Sequence, residues 1–268
     1  MTTKALKDII KEEFDWEIPF ETGPLPSKGI LYDPDSKFYM RETVDIKAMT
    51  AEEEDILTSA ALIKKGETVE KLLESCVVDK SLPIKELLIG DRNALMVSIR
   101  ITGYGRDYPV VYRCKSCDHS NDVVIDLCNL PLKTLEIKPV KPGVNEFEFK
   151  LPVTKKKVTF KFLTGLDEKE RKITQERMKK VLGVESDLEK NVTTSLETAI
   201  LSIEGVTDKL KIKHFIKYMP AYDSKSLRKF IRDNEPNIEM VQNCTCVNCG
   251  TAQDINVPIT SEFFWPDT

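Results

Sequence analysis

Four of the seven cysteines form two pairs with the same spacing, one near the middle of the chain and one near its end. Cys114 and Cys117 lie in YRCKSCDHS, and Cys246 and Cys249 lie in CTCVNCGTA. The C-x2-C spacing places two thiolates on one tight turn, from which both reach the same tetrahedral zinc ion. Each pair lies between segments with the apolar alternation of β-strands. The sequence therefore predicts a discontinuous four-cysteine zinc ribbon, with Cys114, Cys117, Cys246 and Cys249 as metal ligands.

The predicted zinc ion has a structural role. Four thiolates fill the coordination sphere of zinc and leave no position for water or substrate. More than a hundred residues separate the two pairs, and closing a loop of that length costs about 4 kcal/mol in chain entropy. Structural zinc contributes on the order of 10 kcal/mol, which exceeds this cost. The expected cofactor is a structural Zn²⁺ that joins the middle of the chain to its end.

Other ligand sets stay open at this point. Cys244 lies two residues before Cys246 and could replace it, and His119 lies close enough to the first pair to serve as an alternative ligand. A redox dithiol is disfavoured, because such pairs open a helix in a βαβ unit and both pairs here lie between strands. Cys128 is expected to be an unliganded thiol, and Cys76 falls in an apolar helical stripe as a core residue.

No pattern of catalytic residues accompanies the cysteines. The two histidines, His119 and His214, have no serine, cysteine or carboxylate partners at the spacing of a known centre. The GYGRDY segment lacks the spacing and the lysine of a phosphate-binding loop. The sequence thus predicts a protein that is not an enzyme and has no catalytic residues.

Composition places the chain among soluble globular proteins, since 41% of its residues are hydrophobic and 31% are charged. An odd number of cysteines fits a reducing compartment, and the acidic N-terminal segment MTTKALKDIIKEEF does not resemble a signal peptide. We therefore expect a cytosolic product without a membrane span. The net charge of −4 disfavours nucleic acid as a partner, and the clusters KTLEIKPVK and TKKK are interpreted as solvated strand edges.

Hydrophobic periodicity predicts an α+β fold, a helical body with an antiparallel β-meander over residues 135–163. Thr50 and Glu53 form a capping box for a helix whose apolar face includes Ile56, Ala60 and Ile63. A later stripe that includes Ile200 and Ile203 is assigned to a helix as well. Further helix starts are predicted near Asp91, for a helix that ends before Gly103, and at Asp167, Ser186 and Asp223.

These patterns divide the chain into five parts. The predicted parts are an N-terminal helix and extended arm (1–45), a helical region (46–106), the zinc ribbon (107–131 with 238–260), a β-meander with a helical insert (132–237) and an aromatic C-terminal tail (261–268). The arm and the tail carry six large apolar side chains that we expect to be buried, either in a partner or within the chain: Phe20, Leu31, Tyr32, Phe263, Phe264 and Trp265.

Several segments, taken in order, resemble the baseplate proteins of T-even-type contractile-tailed bacteriophages. They are LPSKGILY, MTAEEEDILTSAALIKKGETVEKLL and LLIGDRNALMVSIRITGYGRDYPVVYRC, followed by the first cysteine pair. The resemblance covers roughly residues 20–130 and the closing cysteine pair, and it is weakest over Asp167 to Asp233.

The resemblance implies a non-enzymatic structural or assembly protein of the baseplate hub. Such a protein binds other hub or tail proteins in the host cytoplasm during assembly, and the mature virion stays open as a second location. The identity of the partner and the oligomeric state are not implied. The alternative function is a zinc ribbon that binds nucleic acid through the basic strand region Lys155 to Lys161.

Overall fold

The computed structural model describes residues 18–182, 191–257 and 261–264. The fold mixes helices with antiparallel strands and confirms the predicted α+β class. The helices are α1 (Ala51–Thr58), α2 (Ala60–Lys65), α3 (Thr68–Cys76), α4 (Ile89–Tyr104), α5 (Gly165–Leu182), α6 (Asn191–Ala199), α7 (Lys209–Tyr218) and α8 (Ala221–Asn234). Short 3-10 turns cover Ile84–Glu86, Leu127–Asn129 and Ser261–Phe264. Within the described ranges, no helix is both long enough and apolar enough to cross a bilayer.

The strands pair into small antiparallel sheets. The strands are β1 (Phe20–Pro24), β2 (Thr43–Lys47), β3 (Asp107–Arg113), β4 (Ser120–Asp126), β5 (Leu132–Lys133), β6 (Phe147–Lys150), β7 (Lys157–Phe160), β8 (Ile200–Ile203), β9 (Asn237–Ile238), β10 (Val241–Thr245) and β11 (Ala252–Asn256). β3 with β4 and β10 with β11 form two hairpins, β1 pairs with β2, β5 pairs with β9, and β6, β7 and β8 form a three-stranded sheet.

Helix α4 lies at the centre of the body. One side contributes fully buried side chains such as Leu95 and Ile99, and the helix packs against β1, β2 and β9. Gly90 lets the chain before β9 approach closely, because a Cβ atom at this position would lie 1.8 Å from the Pro236 carbonyl oxygen. β3 begins three residues after α4 ends, so this helix also sets where the first hairpin starts.

A buried carboxylate joins α4 to the N-terminal arm. Asp91 accepts hydrogen bonds from the Ser27 backbone N–H (2.9 Å), the Ser27 hydroxyl (2.6 Å) and the Tyr32 hydroxyl (2.7 Å). The Tyr32 hydroxyl in turn accepts from the Leu88 N–H at 2.9 Å. Burial raises the pKa of Asp91, although the hydrogen bonds from Ser27 and Tyr32 oppose the shift. Ser27 and Tyr32 belong to LPSKGILY and Asp91 to GDRN, so the network physically links two of the segments that carry the family resemblance.

The apolar residues of the arm and the tail pack mainly inside the chain itself. Leu31, Tyr32, Phe263 and Phe264 are buried, which confirms the intramolecular alternative for these four residues. Phe20 is different, with 70% of its surface exposed. Trp265 and the predicted N-terminal helix lie outside the described residues. The boundary predicted after residue 45 runs through β2, and the five-part division itself stays a prediction.

Arg100 holds the C-terminal turn against α4. This arginine is fully buried, and its Nε donates a hydrogen bond of 3.0 Å to the Phe263 carbonyl. Its Nη1 donates to the Gly105 carbonyl at 2.9 Å, and the guanidinium lies 5.2 Å from the ring centroid of Tyr104. Carbonyl groups and an aromatic ring thus satisfy a buried cation.

Two predictions about apolar stripes are wrong. Ile200 and Ile203 form strand β8 rather than the end of a helix, and they pair with Phe160 and Val158 of β7. Their spacing fits either structure over so short a run, and only pairing with β7 distinguishes the two. The first predicted helix breaks at Ser59 into α1 and α2, which leaves Ile63 55% exposed.

Three helix boundaries also differ from their predictions. Asp223 is the third residue of α8 and not its cap, because it is buried and accepts hydrogen bonds from the Val153 and Thr154 backbone N–H groups. Helix α5 begins at Gly165 and not at the predicted Asp167, which forms hydrogen bonds with Thr164 just before the helix. Helix α4 continues through Gly103, and the predicted start at Ser186 lies outside the described residues. The Thr50 and Glu53 capping box is confirmed.

We expect Asp91→Ala to destabilise the protein by at least about 3 kcal/mol. The substitution leaves three buried donors from Ser27 and Tyr32 without their acceptor, and each unsatisfied donor costs about 1–3 kcal/mol. Urea unfolding followed by circular dichroism measures the loss. Asp35→Ala, at an exposed position of the same arm, is the matched control. Equal stabilities of the two variants would contradict the importance of the network.

Candidate metal centre

The structure brings the four predicted cysteine sulfurs together. The Sγ atoms of Cys114, Cys117, Cys246 and Cys249 all lie within 4.8 Å of one another. Across the two hairpins, Cys114 lies 3.6 Å from Cys249 and Cys117 lies 3.7 Å from Cys246. Four sulfurs placed at about 2.3 Å around a tetrahedral zinc ion are about 3.8 Å apart, whereas a disulfide requires about 2.05 Å. These separations fit a shared metal ion and do not fit disulfides.

The two knuckles repeat the same backbone hydrogen bonds. The Cys114 N–H donates to the His119 carbonyl and the Asp118 N–H donates to the Cys114 carbonyl, both at 2.9 Å. In the second knuckle the Cys246 N–H donates to the Thr251 carbonyl and the Gly250 N–H donates to the Cys246 carbonyl, again at 2.9 Å. Each turn therefore presents its two sulfurs in the same way, and the pair of hairpins is arranged as two equivalent halves.

The residue after the second cysteine has a left-handed backbone in both knuckles. Asp118 has φ of 55° and Gly250 has φ of 70°. Glycine adopts this conformation without strain, and aspartate is among the side chains that tolerate it best. Of the two residues, only Gly250 has a type that by itself signals such a turn in the sequence.

Two side-chain amides connect one hairpin to the knuckle of the other. The Lys115 N–H donates to Gln253 Oε1 at 2.8 Å, and the Val247 N–H donates to Asn121 Oδ1 at 2.9 Å. Asn121 and Gln253 occupy equivalent positions, four residues after the second cysteine of each knuckle. Neither residue is among those predicted from the sequence. The signal that could have found them is the repeated pattern C-x2-C-x3-Asn/Gln, in which an amide recurs at one position.

Several donors surround the sulfurs, as expected for thiolates that bind a metal. The Ser116 N–H lies 3.4 Å from Cys114 Sγ, and the Asn248 side-chain amide lies 3.6 Å from Cys117 Sγ. Hydrogen bonds from the Thr251 side chain and backbone lower the pKa of Cys249 to about 6. In contrast, burial raises the pKa of Cys76 to about 12, so this core thiol stays protonated.

The pKa of Cys117 is raised by its position among the four close sulfurs. Hydrogen bonds from His119 and Asn248 favour its thiolate, but burial and the neighbouring Cys249 and Cys246 outweigh them and raise its pKa to about 11. Adjacent thiolates repel one another, and each additional negative charge is harder to form. A divalent cation at the centre of the four sulfurs removes this repulsion, because it attracts all four charges.

The alternative ligands do not join the cluster. Within the described residues, the group of potential ligands at this site contains only the four predicted cysteines. Cys244 lies in β10 opposite Gln253, and His119 contributes its backbone carbonyl to the first knuckle. Cys128 is an exposed thiol in the turn after β4. The geometry favours the four-cysteine set over the sets that include Cys244 or His119.

The fold and the site define an α+β protein with a ribbon-type cluster of four cysteines, which could hold a metal ion. A family model described as T4 bacteriophage base plate protein matches residues 25–265, and the chain belongs to this family. Searches of curated proteins and of solved structures gave no match. The family match confirms the resemblance and extends it across the helical segment where the resemblance was weakest.

We expect the two amides to hold the knuckles in register. Asn121→Ala removes the acceptor of the Val247 N–H, and Gln253→Ala removes the acceptor of the Lys115 N–H. Losing one such hydrogen bond costs about 1 kcal/mol, so hydrogen exchange of the orphaned amide should accelerate roughly fivefold. NMR detection of amide exchange measures this. Asn243→Ala removes a hydrogen bond within one hairpin. It should leave the exchange rates of the Lys115 and Val247 backbone N–H groups unchanged. Unchanged exchange in all three variants would contradict the connection.

Proposed function

We propose that this protein is a non-enzymatic structural or assembly component of the phage baseplate hub that acts by binding other tail proteins. A structural zinc ion held by Cys114, Cys117, Cys246 and Cys249 would connect its two hairpins. The family match supports the setting, and the clustering of the four sulfurs within 4.8 Å of one another is the single observation that carries the metal assignment.

Four thiolates would give zinc a complete coordination sphere and would therefore restrict it to a structural role. The knuckles place no further ligand among the sulfurs, so the protein's own contribution is to hold four thiolates at fixed positions. β3 follows α4 closely, and β10 and β11 lie near the end of the described chain. The ion would thus join the central helix to the C-terminal hairpin and would make the orientation of both hairpins depend on the rest of the body.

Ion pairs within the basic strand region Lys155 to Lys161 favour protein binding over the nucleic-acid alternative. Lys157 forms an ion pair with Glu148 and Lys161 forms one with Asp167, each at 2.6 Å. Carboxylates therefore already neutralise two of the lysines that a phosphate backbone would need. The net charge of −4 acts in the same direction. On this proposal the protein works in the host cytoplasm while the baseplate is being assembled.

Purified protein should contain about one zinc ion per chain, measured by inductively coupled plasma mass spectrometry. Cys117→Ser and Cys249→Ser should each lose most of this zinc, because three thiolates hold the ion less tightly than four. Removal of zinc by a chelator should lower Tm by roughly 10 °C, since several kcal/mol of stabilisation is lost.

The matched controls are Cys128→Ser and Cys244→Ser, which lie outside the sulfur cluster and should keep the full zinc content. Retention of zinc by all four variants would overturn the ligand assignment. Absence of zinc or any other transition metal from protein produced in a metal-replete medium would overturn the metal proposal itself.

Tagged wild-type protein isolated from infected cells should carry other tail proteins with it, and nuclease treatment should not release them. Mass spectrometry of the isolated complex identifies the proteins. Isolation of the chain with nucleic acid alone, or with no tail protein, would overturn the proposed function. Probing purified mature tails for the chain tells whether it stays in the virion.

A further inference from the structure

The outer face of α7 exposes a row of large side chains. Leu210, His214 and Tyr218 recur every fourth residue and therefore lie along one face of the helix. Leu210 is 79% exposed and Tyr218 is 67% exposed. Ile212 and Ile216 form the opposite face and are buried in the body. Helix α7 is thus held by its inner face, while Leu210 and Tyr218 expose apolar surface on its outer face.

The two rings of this row contact each other. The rings of His214 and Tyr218 lie 4.9 Å apart between centroids, and Lys217 Nζ lies 5.5 Å from the centre of the Tyr218 ring. These contacts restrict the rotamers of Tyr218 before any partner arrives. Ordered aromatic side chains lose little conformational entropy on binding, which is why tyrosine is common among the residues that dominate interfaces.

Lysines of α7 lie beside the row. Within the part of the chain that the structure describes, Lys209, Lys211 and Lys217 form no ion pair, and Lys213 pairs with Glu197 at 3.5 Å. Asp208 caps α7 through the Leu210 and Lys211 N–H groups, and α7 itself contains four lysines and no acidic residue. A concentration of unpaired cations on a chain of net charge −4 favours an acidic partner.

We propose that the row of Leu210, His214 and Tyr218, with Lys211 and Lys217 beside it, is a docking surface for an acidic amphipathic helix of another tail protein. The inference rests on the proposed function and gives it a location. Apolar side chains of the partner helix would pack over Leu210 and Tyr218, and its carboxylates would pair with the flanking lysines. The surface spans about two turns of α7, and the i and i+4 side chains form a ridge against which a second helix can pack.

The surface fits such a helix better than it fits the two other occupants. A phosphate backbone would use the lysines but would leave Leu210, the most exposed large apolar side chain of the described chain, against water. A second copy of this protein offers α1 as an acidic helix, yet the apolar side of α1 is already used, since Leu57 is buried in the body. A separate helix with both acidic and free apolar faces meets both requirements.

Charge reversal and apolar truncation test the surface directly. The variants are Lys211→Glu with Lys217→Glu, and Leu210→Ser with Tyr218→Ala, each made in the tagged chain expressed during infection. All four side chains are exposed, so circular dichroism should match the wild type. We expect each double variant to carry at least tenfold less of one tail protein that copurifies with the wild type. Lys138→Glu with Lys141→Glu, at exposed positions before β6, is the matched control and should carry the wild-type amount.

A photo-crosslinking residue placed at Tyr218 identifies the occupant. The expected product joins this position to a helical, acidic segment of the same tail protein, located by sequencing of the crosslinked peptide. A crosslink to a second copy of the chain or to nucleic acid would overturn the inference. The inference would also be overturned if both double variants carried as much tail protein as the wild type does. That result would leave the proposed function intact. If the wild type itself carries no tail protein, the proposed function fails and the docking surface fails with it.

Discussion

The four cysteine sulfurs are the point at which distant parts of the chain must meet. Their Sγ atoms lie within 4.8 Å although they come from hairpins far apart in sequence. Sulfurs at this separation are too distant for disulfides, and four thiolates so close together would repel one another. A shared cation satisfies both constraints at once. The two matched turns each present two sulfurs to the cluster. The side chains of Asn121 and Gln253 hold the turns together, because each accepts a hydrogen bond from the knuckle of the other hairpin.

Helix α4 likewise brings distant segments of the chain together in the rest of the body. Its first turn holds the arm through the Asp91 carboxylate and approaches Pro236 closely through Gly90. Its last turns hold the C-terminal segment through the buried Arg100. Most of these contacts are polar and directional, so they specify which segments meet as well as stabilising them. The connection between α4 and the first hairpin makes the sulfur cluster dependent on this helix.

The burial of the arm and the tail changes where binding should be sought. Aromatic residues near both ends of the sequence fit the description of interface anchors, but Tyr32, Phe263 and Phe264 are used within the core. The exposed row on α7 has the opposite pattern, since its inner side chains hold the helix in place and its outer ones remain free. For a member of a baseplate family, this surface combines the rigidity and the charge asymmetry that recognition requires.

The sequence by itself determined the features whose cause is local or chemically strict. The C-x2-C spacing identified the four clustered sulfurs, because few arrangements of two thiolates on one turn serve another purpose. The capping box at Thr50 and the stripe around Cys76 were readable for the same reason, since each is set within one helix. Only the tertiary structure decided the strand identity of Ile200 and Ile203, the buried role of Asp223 and the pairing of Asn121 with the distant knuckle. These depend on partners dozens of residues away, and a one-dimensional pattern does not record which partner a side chain meets.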